Sequence, residues 1–159
     1  MKIRRGTARV LPVDREGRVL LLLGTDLLRR GQRFWMSVGG GIERGESLAQ
    51  AAARELREET GIWAHPNALG SPVGMSAIEF TSFRLLAVTQ HQTYFAVAAD
   101  DTAVTFDGQG MLERLTIVGS EWLSPEDLRR RPERLSDPEL PRLMRTAVAA
   151  VRGGLTAGS

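Results

Sequence analysis

The chain has 159 residues, 42% of them apolar and 25% charged, which is typical of one soluble globular domain with a sizeable core. The formal net charge of +2 gives no strong attraction to polyanions, so we expect no nucleic-acid partner, and the absence of cysteine excludes disulfides and cysteine nucleophiles. No apolar run approaches the roughly 20 residues that span a bilayer, and the N-terminus lacks a signal-peptide core, so we expect a cytoplasmic protein with no membrane partner.

The first half of the chain predicts a β-hairpin, a short strand and a long helix. The hairpin is indicated by two apolar segments on either side of the turn residues 14–17. The helix is indicated by Ser47, which suits its N-cap, by apolar residues at helical spacing, and by Gly61, which suits its C-terminal end. The predicted strands are residues 7–13, 18–23 and 34–38, and the predicted helix is residues 47–60.

The second half predicts several strands and two helices. Ser124 and Pro125 begin a short helix, because serine caps helices and proline suits their first turn. The last helix has an apolar side formed by Leu140, Leu143, Met144, Ala147 and Val148. The predicted strands are residues 73–80, 83–89, 93–98 and 115–118, with a loop at 107–110 and the last helix at 138–152.

This order of elements indicates an α/β protein in which a mixed sheet lies between helical layers. No repeat, low-complexity tract or long linker divides the chain. We therefore expect one domain over residues 1–152 and a disordered C-terminal tail over residues 153–159.

Residues 40–62 place a glycine-rich loop directly before the long helix. Positions i, i+3 and i+4 of a helix share a face, so Glu55, Glu58 and Glu59 project together. Such a face is often a solvated acidic surface, because like charges there repel by only about 0.2–0.5 kcal/mol per pair. The alternative is a site for a hard divalent cation, which takes oxygen ligands.

The same stretch fills every fixed position of the signature Gly-x5-Glu-x7-Arg-Glu-U-x-Glu-Glu-x-Gly-U, in which U is a bulky apolar residue. The matching residues are Gly40, Glu46, Arg54, Glu55, Leu56, Glu58, Glu59, Gly61 and Ile62. The chain therefore resembles a Nudix hydrolase, and the complete match favours the cation site over a solvated face. The resemblance implies an α/β/α sandwich with a mixed sheet. It also implies metal-dependent hydrolysis of a diphosphate bond in a nucleoside diphosphate linked to another group, with Mg²⁺ as the expected cofactor and Mn²⁺ as the second choice.

The resemblance assigns metal ligands and catalytic residues within this stretch. Glu58 and Glu59 are implied to be ligands, and Glu55 is either a ligand or a group that positions the attacking water. The backbone carbonyl of Gly39 or Gly40 is implied to complete the coordination shell of the metal ion.

Two further residues of the stretch 40–62, which we call the box, are implied to support these ligands. Arg54 is expected in the catalytic site, where its fixed donor fork pairs with neighbouring carboxylates, and Glu46 is expected near the metal. The loop of Gly39, Gly40 and Gly41 is expected to let the backbone approach metal and diphosphate, because glycine permits positive φ and close contact. A dinucleotide-binding loop is the alternative, but no helix opens at the third glycine of such a pattern.

Several residues outside the box are candidates for the site. By resemblance, Glu113 is the first candidate for a further acid from a later loop and Glu121 the second, although a solvated loop acid is an equal alternative for Glu113. Trp35 precedes the glycines and could stack on a nucleobase, but core packing is favoured. Most arginines should be solvated, and those that could reach substrate phosphates are Arg9, Arg33 and Arg84.

Two functions of different classes follow from the box. The first is the hydrolase, and the second is a non-catalytic module that binds a nucleotide or an ADP-ribose-like ligand, for which lost carboxylates would be the mark. No carboxylate is lost. Isomerisation of isopentenyl diphosphate is disfavoured, because by family analogy it needs a catalytic cysteine. Nucleoside triphosphates, ADP-ribose and nucleotide sugars remain open as substrates, and the resemblance also raises the expectation of a homodimer.

Overall fold

The computed structural model describes residues 2–26, 31–82, 84–100, 110–112 and 115–157. These residues form nine strands, three α-helices and one turn of 3-10 helix at Pro66–Leu69. The strands are β1 Lys2–Val13, β2 Val19–Asp26, β3 Arg33–Met36, β4 Val38–Gly41, β5 Gly74–Thr81, β6 Ala87–Ala98, β7 Gly110–Leu112, β8 Leu115–Leu123 and β9 Arg134–Leu135. The helices are α1 Leu48–Thr60, α2 Pro125–Arg129 and α3 Leu140–Ala157.

The strands form two ladders that meet at the predicted hairpin. In the first ladder β1 runs parallel to β6 and antiparallel to β4, and β5 runs antiparallel to β6. In the second, β2 runs antiparallel to β3 and β8, β9 is parallel to β3, and β7 is antiparallel to β8. β1 and β2 are in register where Val13 pairs with Val19, next to the turn. Away from that turn the two strands pair with different neighbours, which leaves a gap between the ladders.

Helices cover both faces of the sheet. α1 buries Ala51, Ala52 and Leu56 completely in one core, and α3 buries Leu140 and Leu143 completely in the other. A fully buried leucine contributes roughly 2 kcal/mol relative to an exposed one, so these stripes hold the helices in place. The predicted mixed sheet between helical layers is confirmed.

The bounds of α1 agree with the sequence prediction. The Ser47 hydroxyl accepts a hydrogen bond from the Gln50 N–H at 3.1 Å, and the Gln50 side chain accepts one from the Ser47 N–H at 2.8 Å. At the other end Gly61 has a φ of +78° and donates its N–H to the Arg57 carbonyl at 2.9 Å. Side chains are strained at that φ, so the glycine ends the helix and fixes the register of its acidic face.

The single strand predicted at residues 34–38 is in fact two strands. β3 ends at Met36 and pairs with β2, whereas β4 begins at Val38 and pairs with β1. The chain crosses from one ladder to the other at Ser37. One apolar run therefore serves both ladders, which local periodicity cannot reveal.

The two strands predicted at residues 83–89 and 93–98 are one strand, β6. Its centre holds Gln90 and Gln92, whose polarity indicates a break in the sequence. Both side chains are buried and hydrogen-bonded, so the strand continues through them.

The last helix is longer than predicted. α3 continues to Ala157, so residues 153–157 are helical and do not belong to a disordered tail. No proline follows Arg152 to stop the helix, and each of the two glycines after it costs only about 1 kcal/mol relative to alanine. Within the described ranges, no helix has the length and apolar character required to cross a bilayer.

Candidate active site

A cavity of about 740 Å³ fills the gap between the two ladders. Strands β1, β5 and β6 line one side of it, and strands β2 and β3 line the other. The glycine loop reaches its edge through Gly40 and Gly41, and α1 reaches it through Glu55. A concave space of this size is typical of a small-molecule site.

The carboxylate of Glu59 is buried against the glycine loop. Its Oε2 atom accepts a hydrogen bond from the Gly39 N–H at 2.8 Å, and its Oε1 atom is buried without a hydrogen-bond partner among the described residues. Burial raises the pKa of Glu59 to about 8, the Gly39 N–H works against that rise, and the nearby Glu55 adds to it. A buried carboxylate oxygen with unused acceptor capacity is a place that a cation would stabilise.

Gly40 leaves space for the carboxylate of Glu55. A Cβ atom built on Gly40 would lie 2.6 Å from Glu55 Oε1, far inside van der Waals contact. The Glu55 side chain is 13% exposed, and burial raises its pKa while the Arg54 guanidinium acts in the opposite direction. The bare backbone of Gly40 thus brings loop and carboxylate together at the cavity edge.

Arg54 joins the loop to the acidic face of α1. Its Nε and Nη2 atoms donate to the two carboxylate oxygens of Glu46, at 2.8 and 3.0 Å. Its Nη1 atom donates to Glu55 at 3.0 Å and to Glu58 at 3.2 Å, and Nη2 also donates to the Gly41 carbonyl at 3.0 Å. The predicted pairing of Arg54 with neighbouring carboxylates is therefore present, and all five donors of its guanidinium are used.

Replacing Arg54 with leucine is expected to lower kcat/KM for the predicted diphosphate hydrolysis by about 100-fold, because Glu55 and Glu58 lose the donor that they share. Lysine at the same position keeps the charge but supplies only three donors, so we expect an intermediate loss. Steady-state kinetics of both variants, with urea unfolding as a check on the fold, measure this effect. Equal rates for wild type and the leucine variant would show that the guanidinium does not position these carboxylates.

Arg9 places a buried cation beside the same carboxylates. It is 6% exposed, lines the cavity and pairs with Gly39 across β1 and β4. Its Nη1 atom donates to the Ser37 carbonyl at 3.4 Å and its Nε atom to the Thr7 hydroxyl at 3.3 Å. Burial lowers the pKa of Arg9, and the charge of Glu59 opposes this. Arg9 is thus the candidate arginine that the structure brings into the wall of the cavity.

The three glutamates of the helix face do not converge on one point. Glu59 is turned to Gly39, while Glu55 and Glu58 are turned to Arg54. Among the residues that the structure describes, no three His, Cys, Asp or Glu side chains are grouped closely enough to hold a metal ion. The Gly39 N–H thus holds the carboxylate of Glu59 away from the two carboxylates that share Arg54, which reduces the repulsion between like charges. The donor set nevertheless fits Mg²⁺ or Mn²⁺, because it consists of oxygens and includes the unused Oε1 atom of Glu59.

The other predicted site residues have different outcomes. Glu113 lies outside the described residues. Glu121, on β8, forms an ion pair with Arg131 and does not line the cavity, so nothing in the described structure brings it to the site. Trp35 is 2% exposed and donates its indole N–H to Glu133 at 3.0 Å, in agreement with the favoured packing role.

Three buried polar residues of the cavity wall were not found from the sequence. They are Gln90 and Gln92 on β6 and Asp26 at the end of β2. The signal in the sequence is the spacing of the two glutamines, since residues two apart on a strand share a face. That signal could not show that the face is buried, because its cover comes from distant parts of the chain.

The raised pKa of Glu59 predicts how stability depends on pH in a metal chelator. Below about pH 4.5 the carboxyl is protonated in both the folded and the unfolded chain. Between pH 4.5 and about 8 the unfolded chain releases the proton while the folded chain keeps it, so the free energy of unfolding falls as pH rises. The total fall from this group is on the order of a few kcal/mol, because each tenfold change in proton affinity corresponds to about 1.4 kcal/mol.

Replacing Glu59 with glutamine is expected to remove this pH dependence and to stabilise the metal-free protein at pH 9. Urea unfolding at pH 6 and pH 9 measures it, with Glu43→Gln as the control because the Glu43 side chain is 68% exposed. If the glutamine variant at position 59 loses stability between pH 6 and 9 as steeply as the wild type, Glu59 is not the titrating group.

Comparison with known proteins identifies the class of protein. The family model described as NUDIX domain matches residues 3–144. The chain therefore belongs to the NUDIX domain family, and the predictions of the family, its fold and a Nudix hydrolase are confirmed at the level of that family.

Solved structures of similar fold cover nearly the whole chain. The E. coli ORF135 protein is 25% identical, with a TM-score of 0.56 over 96% of this chain and 94% of that one. A NUDIX hydrolase from Nitrosomonas europaea is 19% identical, with a TM-score of 0.63 over 92% and 90%. The NUDIX domain of Shewanella oneidensis NrtR, solved in complex with ADP ribose, is 16% identical, with a TM-score of 0.61 over 91% and 88%. The last two likenesses show the fold alone.

One curated relative matches only in part. An octanoyltransferase of Myxococcus xanthus is 42% identical over 78 residues, which cover 43% of this chain and 20% of that protein. The chain thus spans about a fifth of that protein's length, and the activity in its name is said of that protein alone. The choice of metal, the substrate, the cytoplasmic location and the homodimer remain predictions.

Proposed function

We propose that the protein hydrolyses a diphosphate bond in a nucleoside diphosphate linked to another group, with Mg²⁺ or Mn²⁺ bound at the carboxylate face of α1. One observation carries this proposal. The buried carboxylate of Glu59 accepts a hydrogen bond from the Gly39 N–H and has one oxygen still able to accept a ligand, and the neighbouring Gly40 and Glu55 line a cavity of about 740 Å³. A structural glutamate would have its second oxygen paired or solvated.

Some residues of the site would bind the metal ion and others the phosphate. Glu58 and Glu59 would hold the cation with the backbone carbonyl of Gly40, and Arg9 would contact a phosphate oxygen from the cavity wall. A divalent cation, when bound, supplies neutralisation of phosphate charge and a more acidic water. The glycine loop has no side chain in the way of the diphosphate.

Glu55 is suited to position and deprotonate the attacking water. Its carboxylate lies at the cavity edge over Gly40, and burial raises its pKa, which makes the carboxylate a better proton acceptor. Arg54 holds the carboxylate in this place through the 3.0 Å hydrogen bond from Nη1. The proton of the water passes to a Glu55 oxygen as the new bond to phosphorus forms and the bridging oxygen leaves with the other phosphate.

A panel of nucleotides tests the proposal. Nucleoside triphosphates, ADP-ribose and nucleotide sugars are incubated with the protein in Mg²⁺, in Mn²⁺ and in a chelator, and the products are identified by phosphorus NMR. We expect at least one substrate to give two phosphorylated products, with turnover lost in the chelator. Turnover that continues unchanged in the chelator, or absence of turnover across the panel, contradicts the proposal.

The same panel distinguishes the non-catalytic alternative. Tight ligand binding that is independent of metal and gives no product would assign the chain to nucleotide sensing. The intact set of Glu55, Glu58 and Glu59 favours the hydrolase, because a module that only binds has no need of three adjacent carboxylates.

A further inference from the structure

The wall of the cavity opposite β2 and β3 carries two buried glutamines. Gln90 and Gln92 are each 3% exposed and both line the cavity. A primary amide removed from water needs partners for its oxygen and for its nitrogen. The partners of these two amides form a single hydrogen-bonded chain along the wall.

This series of hydrogen bonds begins at a guanidinium and ends at a carboxylate. Arg5 Nε donates to Gln90 Oε1 at 2.8 Å, Gln90 Nε2 donates to Gln92 Oε1 at 3.0 Å, and Gln92 Nε2 donates to Asp137 Oδ2 at 2.8 Å. Asp137 is 1% exposed and also accepts from the hydroxyl of Tyr94 at 2.8 Å. Burial, with the Asp137 carboxylate beside it, raises the pKa of Tyr94, so its hydroxyl keeps the proton that it donates.

The guanidinium and the carboxylate at the two ends of this hydrogen-bond series fix the orientation of both amides. A guanidinium can only donate and a carboxylate can only accept, so turning either glutamine over would bring two donors or two acceptors face to face. The orientation of an amide is assigned from its hydrogen-bond network, and here the network allows one orientation of each glutamine. The wall therefore presents a defined pattern of hydrogen-bonding atoms.

Acceptors with remaining capacity dominate this pattern. Gln90 Oε1 and Gln92 Oε1 each accept one hydrogen bond, and a carbonyl oxygen has two lone pairs. The carboxylate of Asp26, 1% exposed, lines the cavity from the other ladder. Both N–H groups of Gln92 are directed at Asp137, Tyr94 and Ser76, so they are not available. One N–H of Gln90 is the donor that remains on these two amides. The guanidinium of Arg5 lies over the ring of Phe80, with 5.7 Å to the ring centre.

This wall lies at the distance of a nucleoside from the glycine loop. Thr7 of β1 pairs with Gly41 on one side and with Gln92 on the other, and Gln90 is two residues further along β6. At ordinary strand spacings the Cα atoms of Gly41 and Gln90 are about 12 Å apart. A nucleotide with its phosphates at the loop can place its base at the glutamines, where Phe34 and Phe80 supply aromatic surface.

We propose, on the basis of the proposed function, that Gln90, Gln92 and Asp26 bind the edge of the nucleobase and select bases that carry an exocyclic amino group. An amino group brings two donors to a wall rich in acceptors. A base with a carbonyl at the same ring position brings an acceptor there, which the oxygens of the wall repel, and its ring N–H donor lies at the neighbouring position. Such mismatches of buried polar groups give large discrimination between ligands of equal size.

Two matched pairs of nucleotides test this selection. ATP and ITP differ by an amino group against a carbonyl on the purine ring, and CTP and UTP differ in the same way on the pyrimidine ring. We expect kcat/KM to favour the amino member of at least one pair by about tenfold or more. Ratios near one in both pairs, or ratios that favour the carbonyl members, overturn the proposal.

Variants of adjacent residues locate the selection on β6. Gln90→Ala is expected to reduce the ratio of kcat/KM between the amino and the carbonyl nucleotide by about fivefold. One acceptor is removed, and the orientation of Gln92 is no longer fixed. His91→Ala is the matched control, since His91 follows Gln90 on the same strand and is exposed on the other face. If the alanine variant does not fold, Gln90→Met removes the acceptor while keeping a side chain of similar length, and we expect the same reduction. A ratio unchanged in the folded Gln90 variant shows that these amides do not read the base.

Binding separates failure of this proposal from failure of the proposed function. If the wild type hydrolyses none of the four nucleotides, the proposed function fails for them. Calorimetric affinities of the wild type for the same four, measured in Mg²⁺, then test base selection independently. If all four are hydrolysed at equal efficiency, the proposed function stands and the selection by Gln90 is wrong.

Discussion

Replacing Gly39 with alanine is expected to lower the free energy of unfolding by about 3 kcal/mol or more. Gly39 has a φ of +146°, and an added Cβ atom would lie 2.3 Å from the Ala8 carbonyl oxygen and 2.8 Å from the Arg9 Cα atom. These neighbours are backbone atoms of β1, so the pairing of β1 with β4 must change to admit the methyl group. Urea unfolding of the purified variant measures the loss.

The next two glycines provide graded controls. Gly41→Ala should cost no more than about 0.5 kcal/mol, because no atom of the described residues beyond its two chain neighbours lies within 4 Å of the added Cβ. Gly40→Ala should keep most of the stability but lose activity by about 100-fold, since the methyl group meets the movable carboxylate of Glu55 at 2.6 Å. If all three variants unfold at the same urea concentration, the close packing of β4 on β1 and α1 is wrong.

Replacing Glu58 with glutamine is expected to lower kcat/KM by about 1,000-fold with little change in the free energy of unfolding. The Glu58 side chain is 58% exposed and accepts a 3.2 Å hydrogen bond from Arg54, so the fold depends little on its charge. A large loss of activity would therefore show a role of Glu58 in the reaction and not in folding. Kinetics with the best substrate of the nucleotide panel, together with urea unfolding, separate the two effects.

Glu43→Gln is the matched control for that substitution. Glu43 is also exposed, at 68%, and lies 3.7 Å from the same Arg54 Nη1 atom, but it belongs to the loop and not to the acidic face of α1. We expect its activity to remain within about twofold of the wild type. Equal losses in the two variants would mean that the total negative charge near Arg54 matters, and that Glu58 has no special role.

The helix of the box was predictable because its signals are local. Ser47 and Gly61 set its ends, and the 3.6-residue period places apolar side chains on the sheet and the glutamates beside them. The same local logic fails at β4, where the strand at residues 34–38 divides at Ser37. What divides it is a change of partner strand, and partner strands are set by long-range pairing.

The cavity could not be predicted for the same reason. It exists because β1 and β2 turn to different neighbours after their hairpin, a property of the whole sheet. Its polar wall depends on Asp137, which is 45 residues from Gln92 in the chain and caps α3 by accepting from the Glu139 N–H at 2.9 Å. The box thus locates the carboxylates in the sequence, while the residues that face a base are set by tertiary contacts.

The most direct test of the metal site is the binding of Mn²⁺ at pH 8, measured by electron paramagnetic resonance without any nucleotide. We expect the wild type to bind Mn²⁺ at the face formed by Glu55, Glu58 and Glu59. Glu59→Gln should weaken this binding by at least about tenfold, because it removes the buried carboxylate whose Oε1 atom has no other partner in the described structure. Glu43→Gln should leave it unchanged. Equal affinity in all three proteins, or no binding by the wild type, would contradict a cation site on this helix.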